Sequence, residues 1–378
     1  MTYVTGGSGG TMVDLMGALK TFAEGEGWTI DKWDSTNKLL FMTKGICTVT
    51  MWGDTTRTVN VYTGASGSGT FSAVADHRIY FAMGTSNTAG LTTYYSHPGS
   101  PVTSAYDDDA PFINGMNGPF VAWHFFADST VSDHIHVVVE ISAGVFKHFS
   151  LGFVDKKGLT HAGVAYVTAS PTTHWRNVST YIGSVNGQFN DPGKQHYPFC
   201  LGNTDNSVPA QPAIYLNAPP IIVKNSDAWP AAWKGPVAGN SADGSNNQGT
   251  ILGLISNSIV YSPNAWPSNV NTRGCLLDVV VVSEATPYSN IVPMFPIPVF
   301  RSHYNSGSGD SSRRICYVGD FPNVRAVNLS NLSPGQEVTY DTDTWMVFPT
   351  VKQTSWTDRQ VTNEPQSGQL GLAYKKVA

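Results

Sequence analysis

The stretch HIHVVVEISAGVFKHFSLGFVDKK, residues 134–157, decides how the rest of the chain is read. His134, His136, Val138 and Glu140 alternate with Ile135, Val137, Val139 and Ile141, a period of two in a β-branched run. That pattern predicts a strand, and Ser142-Ala143-Gly144 supplies the turn into a second strand at Val145. If Ala143 and Gly144 form a two-residue loop, Ser142 faces Val145, Glu140 faces Lys147, and His148 falls opposite Val139. A slip of one residue reverses every face assignment.

That register carries a chemical question. His134 and His136 share one face, as two metal ligands on a strand would, and His148 is the obvious third candidate. The two-residue loop places His148 on the other face. A metal site needs a third ligand and a supporting shell, so the expectation is structural, partly buried histidines and no bound metal or cofactor.

Composition bounds the fold. Of 378 residues only 13% are charged, while Gly 37 and Pro 23 are abundant, and 10 Trp, 16 Tyr and 17 Phe make 11% of the chain aromatic. Disordered chains are charge-rich and aromatic-poor, the reverse of this balance. Uncharged polar turns with β-branched and aromatic residues predict an all-β fold of antiparallel, sandwich-like sheets with long ordered loops. A net charge of −5 without a basic stripe gives nucleic acid little to bind. Cys47, Cys200, Cys275 and Cys316 lie far apart with no Cys-x-x-Cys pair, so free, mostly buried thiols are expected. No basic segment followed by an apolar one opens the chain, and the most apolar stretches are broken by Asp278 or by Pro293, Pro296 and Pro298. The expectation is a soluble protein made in the cytoplasm, without membrane insertion.

The opening MTYVTGGSGGTMVDLMGALK invites two chemical readings. As a nucleotide loop it lacks a full preceding strand, carries Met12 where a last glycine belongs, and is followed by no βαβ alternation. As Gly-x-Ser-x-Gly around Ser8 it again lacks the strand of a nucleophile elbow. A flexible Gly-rich arm leading into a helix accounts for it. Thr11 caps that helix with Asp14 near N3, and Met12, Leu15, Met16, Leu19, Phe22 and Ala23 form an apolar stripe before Gly25 and Gly27. Such a helix lies on its own sheet or, through Leu15, Leu19 and Phe22, on a neighbouring subunit.

Short strands are predicted at 38–42, 46–52, 57–63 and 77–83, separated by Gly-containing turns. The run Asp107-Asp108-Asp109 lacks the spaced ligands of a calcium loop and reads as a solvated turn. The chain divides into an arm and amphipathic helix over 1–27, a β-rich domain over 28–167 and a loop-rich insertion over 168–273. A C-terminal β-rich segment over 274–378 packs with 28–167. In the insertion, Trp229, Trp233 and Trp266 stand among Asn, Ser and Gly, a mixture suited to stacking on sugars, or to anchoring a long loop to the core. Asp107, Asp108, Asp109, Asp128, Asp133 and Glu140 could pair as glycosidase carboxylates, yet nothing in the sequence brings two together. No enzyme activity is expected.

Several stretches, taken in order, resemble a type of virion structural protein of tailed bacteriophages. They are Gly27-Trp28-Thr29 after the helix, Ser96-His97-Pro98-Gly99-Ser100-Pro101, Trp123-His124-Phe125-Phe126, and Lys147 to Phe153 with Lys157-Gly158 and Gly163 to Val167. Near the end come Phe321-Pro322-Asn323-Val324, Leu332-Ser333-Pro334-Gly335, Trp345 to Pro349, and Gly371 to Lys376. His97 stands where that type usually has Gln, and Ser150 interrupts a tighter Phe-Gly. The resemblance implies a virion component of the tail, neck, collar or baseplate. It implies a homo-oligomer with other virion proteins as partners, and it carries no catalytic residue. A host-surface glycan or receptor-binding tail protein is the competing expectation, and a glycan-degrading tail enzyme the third.

Overall fold

The structure is a computed structural model that describes residues 2–63, 70–84, 86–98, 100, 112–128, 130, 132–156, 164–169, 221–225, 233–234, 248–252, 292–304, 313–349 and 370–376. The elements in order are β1 (Thr2–Gly6), α1 (Met12–Gly25), β2 (Thr29–Asp34), β3 (Leu39–Lys44), β4 (Cys47–Asp54), β5 (Thr58–Thr63), β6 (Thr70–Ala75) and β7 (Arg78–Gly84). There follow β8 (Phe112–Asn114), β9 (Ala122–Ala127), β10 (His134–Ser142), β11 (Val145–Phe153), β12 (Asp155–Lys156), β13 (Val164–Ala169), β14 (Ile221–Asn225) and β15 (Trp233–Lys234). The last are β16 (Gln248–Leu252), β17 (Met294–Tyr304), β18 (Arg313–Asn328), β19 (Glu337–Tyr340), β20 (Asp343–Pro349) and β21 (Leu370–Lys376).

The β-rich body expected from composition is what the chain forms, with three large antiparallel sheets, a two-stranded β5-β6 ribbon and the N-terminal helix. The central sheet runs β1-β9-β10-β11-β13-β14-β15, so the hairpin of residues 134–153 lies in its middle. A second sheet, β2-β3-β4-β7-β8, covers one face, and a third, β16-β17-β18-β21-β20-β19, covers the other. Strand periodicity makes this layering possible, because alternate residues of one strand serve two different cores.

Toward the second sheet the central strands send Trp123, Phe125, Ile135, Val137, Val139, Phe149, Leu151, Ala165 and Val167 into one apolar cluster with Leu40, Phe41, Val49, Met51 and Phe81. Toward the third sheet they send Phe126, His136, His148, Ser150 and Tyr166, which meet Phe321, Phe348 and Tyr374. The first face is aliphatic and aromatic. The second is aromatic and polar, and it too is closed off from solvent.

Thr11 caps α1 through a reciprocal capping box with Asp14. Leu15 and Leu19 are fully buried and Phe22 nearly so, all in the chain's own core, where Phe22 packs on Phe125 at 5.3 Å between ring centroids. These three side chains are therefore spent on the sheet beneath the helix.

The opening segment corrects the expectation of a flexible arm. Thr2–Gly6 is a strand pairing antiparallel with β9, Val4 opposite Phe125. The glycines that follow make room for one indole. A Cβ on Gly7, whose φ is +98°, would clash with the Trp123 ring, and one on Gly10 would stand 2.6 Å from it. The glycine run is thus a seat for Trp123.

Candidate functional site

The hairpin turn explains why the histidines gather. Ser142 does face Val145, but Ile141 is bulged out, so Glu140 pairs with Phe146, Val139 with Lys147 and Val138 with His148. The expected Glu140–Lys147 pair does not form. Glu140 instead accepts the Gly144 N–H at 2.9 Å, closing the turn on itself. The one-residue shift carries His148 to the face that holds His134 and His136, and Val138 also lies opposite His124 of β9.

Burial in this layer is close to complete: His136 and His148 are fully buried and His134 is 2% exposed. His136 donates from Nε2 to the Pro322 carbonyl of β18 at 2.6 Å, and its Nδ1 meets the Ser150 hydroxyl at 2.6 Å. Ser150 in turn meets the Tyr166 hydroxyl at 2.9 Å. His148 repeats the arrangement, donating from Nε2 to the Pro349 carbonyl at 2.9 Å and accepting the Tyr374 hydroxyl at Nδ1 at 2.8 Å. A carbonyl can only accept, which assigns the Nε2–H tautomer to both rings. His134 donates from Nδ1 to the Ser132 carbonyl at 2.6 Å, and His124 Nδ1 meets the Tyr3 hydroxyl at 3.0 Å.

Electrostatics keeps the layer neutral. Desolvation pushes His124, His134 and His148 down to about 4 and His136 well below its ordinary value, outweighing the carbonyls that favour the charged form of His134, His136 and His148. The same burial raises Tyr166 and Tyr374. His136 and His148, with both nitrogens engaged by protein groups, have no lone pair to give a metal ion. Among the described residues no group of three or more His, Cys, Asp or Glu side chains is placed to hold one.

On the opposite face of the same hairpin the bulge turns Lys147 into the core, 2% exposed. Its Nζ lies 3.4 Å from Asn114 Oδ1, and Asn114 Nδ2 donates to Asp76 Oδ1 at 3.1 Å. Arg78 grips Asp76 Oδ2 through Nε and Nη2, each at 2.6 Å. This polar cluster escapes sequence reading, because the one signal pointing to Lys147 assigned it a surface partner.

Other expected site residues fall as follows. Trp233 opens β15 at the end of the central sheet, opposite Val223, while Trp229, Trp266 and Asp107 to Asp109 lie outside the described residues. Asp128 caps a turn through the Thr130 N–H and hydroxyl and accepts from Asn323 at 2.9 Å. Asp133 forms an ion pair with Lys44 at 3.3 Å. Ser8 sits in the turn that joins β1 to α1, so, against the sequence expectation, a strand does precede it. Cys47 is buried. No helix among the described residues is long and apolar enough to cross a membrane. No protein-family model matches the chain, and no curated protein sequence matches it.

Proposed function

We propose that this chain is a non-enzymatic structural component of a tailed-phage virion, in the neck or collar, tail or baseplate, assembling as a homo-oligomer with other virion proteins. The observation that supports the reading best is where the polar chemistry goes. His136 and His148, the residues best suited to catalysis or metal binding, spend their nitrogens on hydroxyls and on carbonyls of the third sheet. Side chains used this way hold layers together and present nothing to a substrate. A rigid three-layer body suits a particle part that must transmit force and survive outside a cell.

The ordered series of resembling patches points the same way, and several of them meet in space: Phe126 and His148 both pack on Tyr374. β1 offers a route to oligomerisation: among the described residues it is an uncharged edge strand of the central sheet with Val4 exposed, without the charges or prolines that discourage edge pairing.

Light scattering after size exclusion, together with cryo-electron microscopy of the purified chain and of the particle whose genome encodes it, tests the proposal. A closed ring or other symmetric oligomer fitting density on the neck, tail or baseplate is expected. A strict monomer at high concentration, with no matching density in the particle, would overturn it.

A further inference from the structure

We propose that Lys147 and Asn114 join in an intramolecular isopeptide bond that covalently ties the central sheet to the edge of the second sheet. The three groups the reaction needs already touch in sequence. Lys147 Nζ stands 3.4 Å from the Asn114 carboxamide oxygen, and the carboxamide nitrogen donates to Asp76 Oδ1 at 3.1 Å. Lys147 and Asp76 are each 2% exposed and Asn114 is fully buried. The flanking Ile113, Met116 and Val139 belong to the main apolar core.

Each feature has a chemical use. The Asp76 bond to Nδ2 fixes which end of the carboxamide faces Lys147, so the amine meets the carbonyl side. Burial pushes the Lys147 amine down to about 7, against the opposing pull of Asp76, which makes the free-base nucleophile accessible near neutral pH. Arg78 anchors Asp76 from its far side, leaving Oδ1 directed at the leaving nitrogen. An apolar surrounding keeps water from competing for the same carbonyl.

The step balances without a co-reactant. The neutral Lys147 amine attacks Cγ of Asn114, a new Nζ–Cγ bond forms, and the Cγ–Nδ2 bond breaks. Asp76 takes the proton lost by Nζ and returns it to the departing nitrogen, so ammonia leaves and the carboxylate is regenerated. Lys147 lies in β11 and Asn114 ends β8, so the bond joins the central sheet to the second. The inference stands apart from the virion reading, since it depends only on these side chains.

Intact-mass spectrometry of the purified full-length chain, followed by tandem spectrometry of its digest, tests it. The expected mass is the sequence mass less one ammonia, with a branched peptide joining the segments around Lys147 and Asn114. Lys147→Met and Asp76→Ala should each restore the full mass. Asn114 precedes Gly115, so a succinimide at that pair would also lose ammonia, but it would persist in Lys147→Met and yield no branched peptide. Loss of that kind alone overturns the proposal. So does an unchanged mass in folded protein held at mildly alkaline pH.

Discussion

Tyr374 donates its hydroxyl to Nδ1 of His148 at 2.8 Å, binding β21 to β11 across the buried space between the third and central sheets. The rings also stack, with centroids 5.9 Å apart. Tyr374→Phe removes the donor and leaves His148 Nδ1 buried without it, which costs roughly 1–3 kcal/mol. A chemical denaturation series measures the loss. A variant within a few tenths of a kcal/mol of the parent would mean that the layer contributes packing alone.

The four depressed histidines make stability acid-sensitive. His124, His134 and His148, at about 4 in the fold, and His136, also held well below its ordinary value, bind protons more readily once unfolded, where imidazoles titrate near 6.5. Between those values the unfolded chain holds more protons than the folded one. The contribution is complete above about pH 6.5 and is lost as pH falls toward 4, on the order of 2–3 kcal/mol for each of His134 and His148. Asp14 and Asp128, held below the usual carboxylate range by hydrogen bonds, add their loss in a lower window. Denaturation midpoints taken from neutral pH downward should fall steadily from about pH 6. A flat profile down to pH 5 would contradict the neutral, buried layer.

How much of this could be read beforehand depends on the range of the interaction. The alternation from His134 to Val139 is local, and it fixed the strand and its two faces. The bulge at Ile141 was not legible, because Glu140 had two available partners and its choice of the Gly144 N–H over Lys147 is settled by turn geometry. That single residue moved His148 into the histidine layer and Lys147 into the core. The third sheet's part was equally hidden: a period of two shows that a face is buried or exposed, but not that Pro322 and Pro349, far along the chain, supply the carbonyls that His136 and His148 need. The capping box at Thr11 and Asp14 lies within four residues and was plain in the sequence.

Thr11→Ala should cost about 1 kcal/mol, the usual value of a lost helix cap. Thr11 gives its N–H to Asp14 Oδ2 at 2.8 Å and its hydroxyl to the same oxygen at 2.7 Å. Thr11→Ser keeps the hydroxyl and should stay close to the parent. Thermal melts of both variants check the pair, and equal losses would place the effect in the threonine methyl instead of the cap.

Gly7 and Gly9 separate two reasons for a glycine. Both have positive φ, +98° and +79°, so an alanine at either position meets backbone strain of roughly 1 kcal/mol. Only at Gly7 would the new methyl also collide with Trp123; at Gly9 nothing lies within 4 Å. Gly9→Ala should therefore lose about 1 kcal/mol, while Gly7→Ala should lose 1–3 kcal/mol more as the indole is forced from its seat, in the range of other overpacked sites. Trp123, its emission isolated from that of the chain's 10 Trp as the difference from a Trp123→Phe counterpart, provides the independent readout. Its emission should shift in Gly7→Ala and stay unchanged in Gly9→Ala, and a parent-like spectrum with parent-like stability in Gly7→Ala would show that β1 and its glycine turn do not hold Trp123 in place.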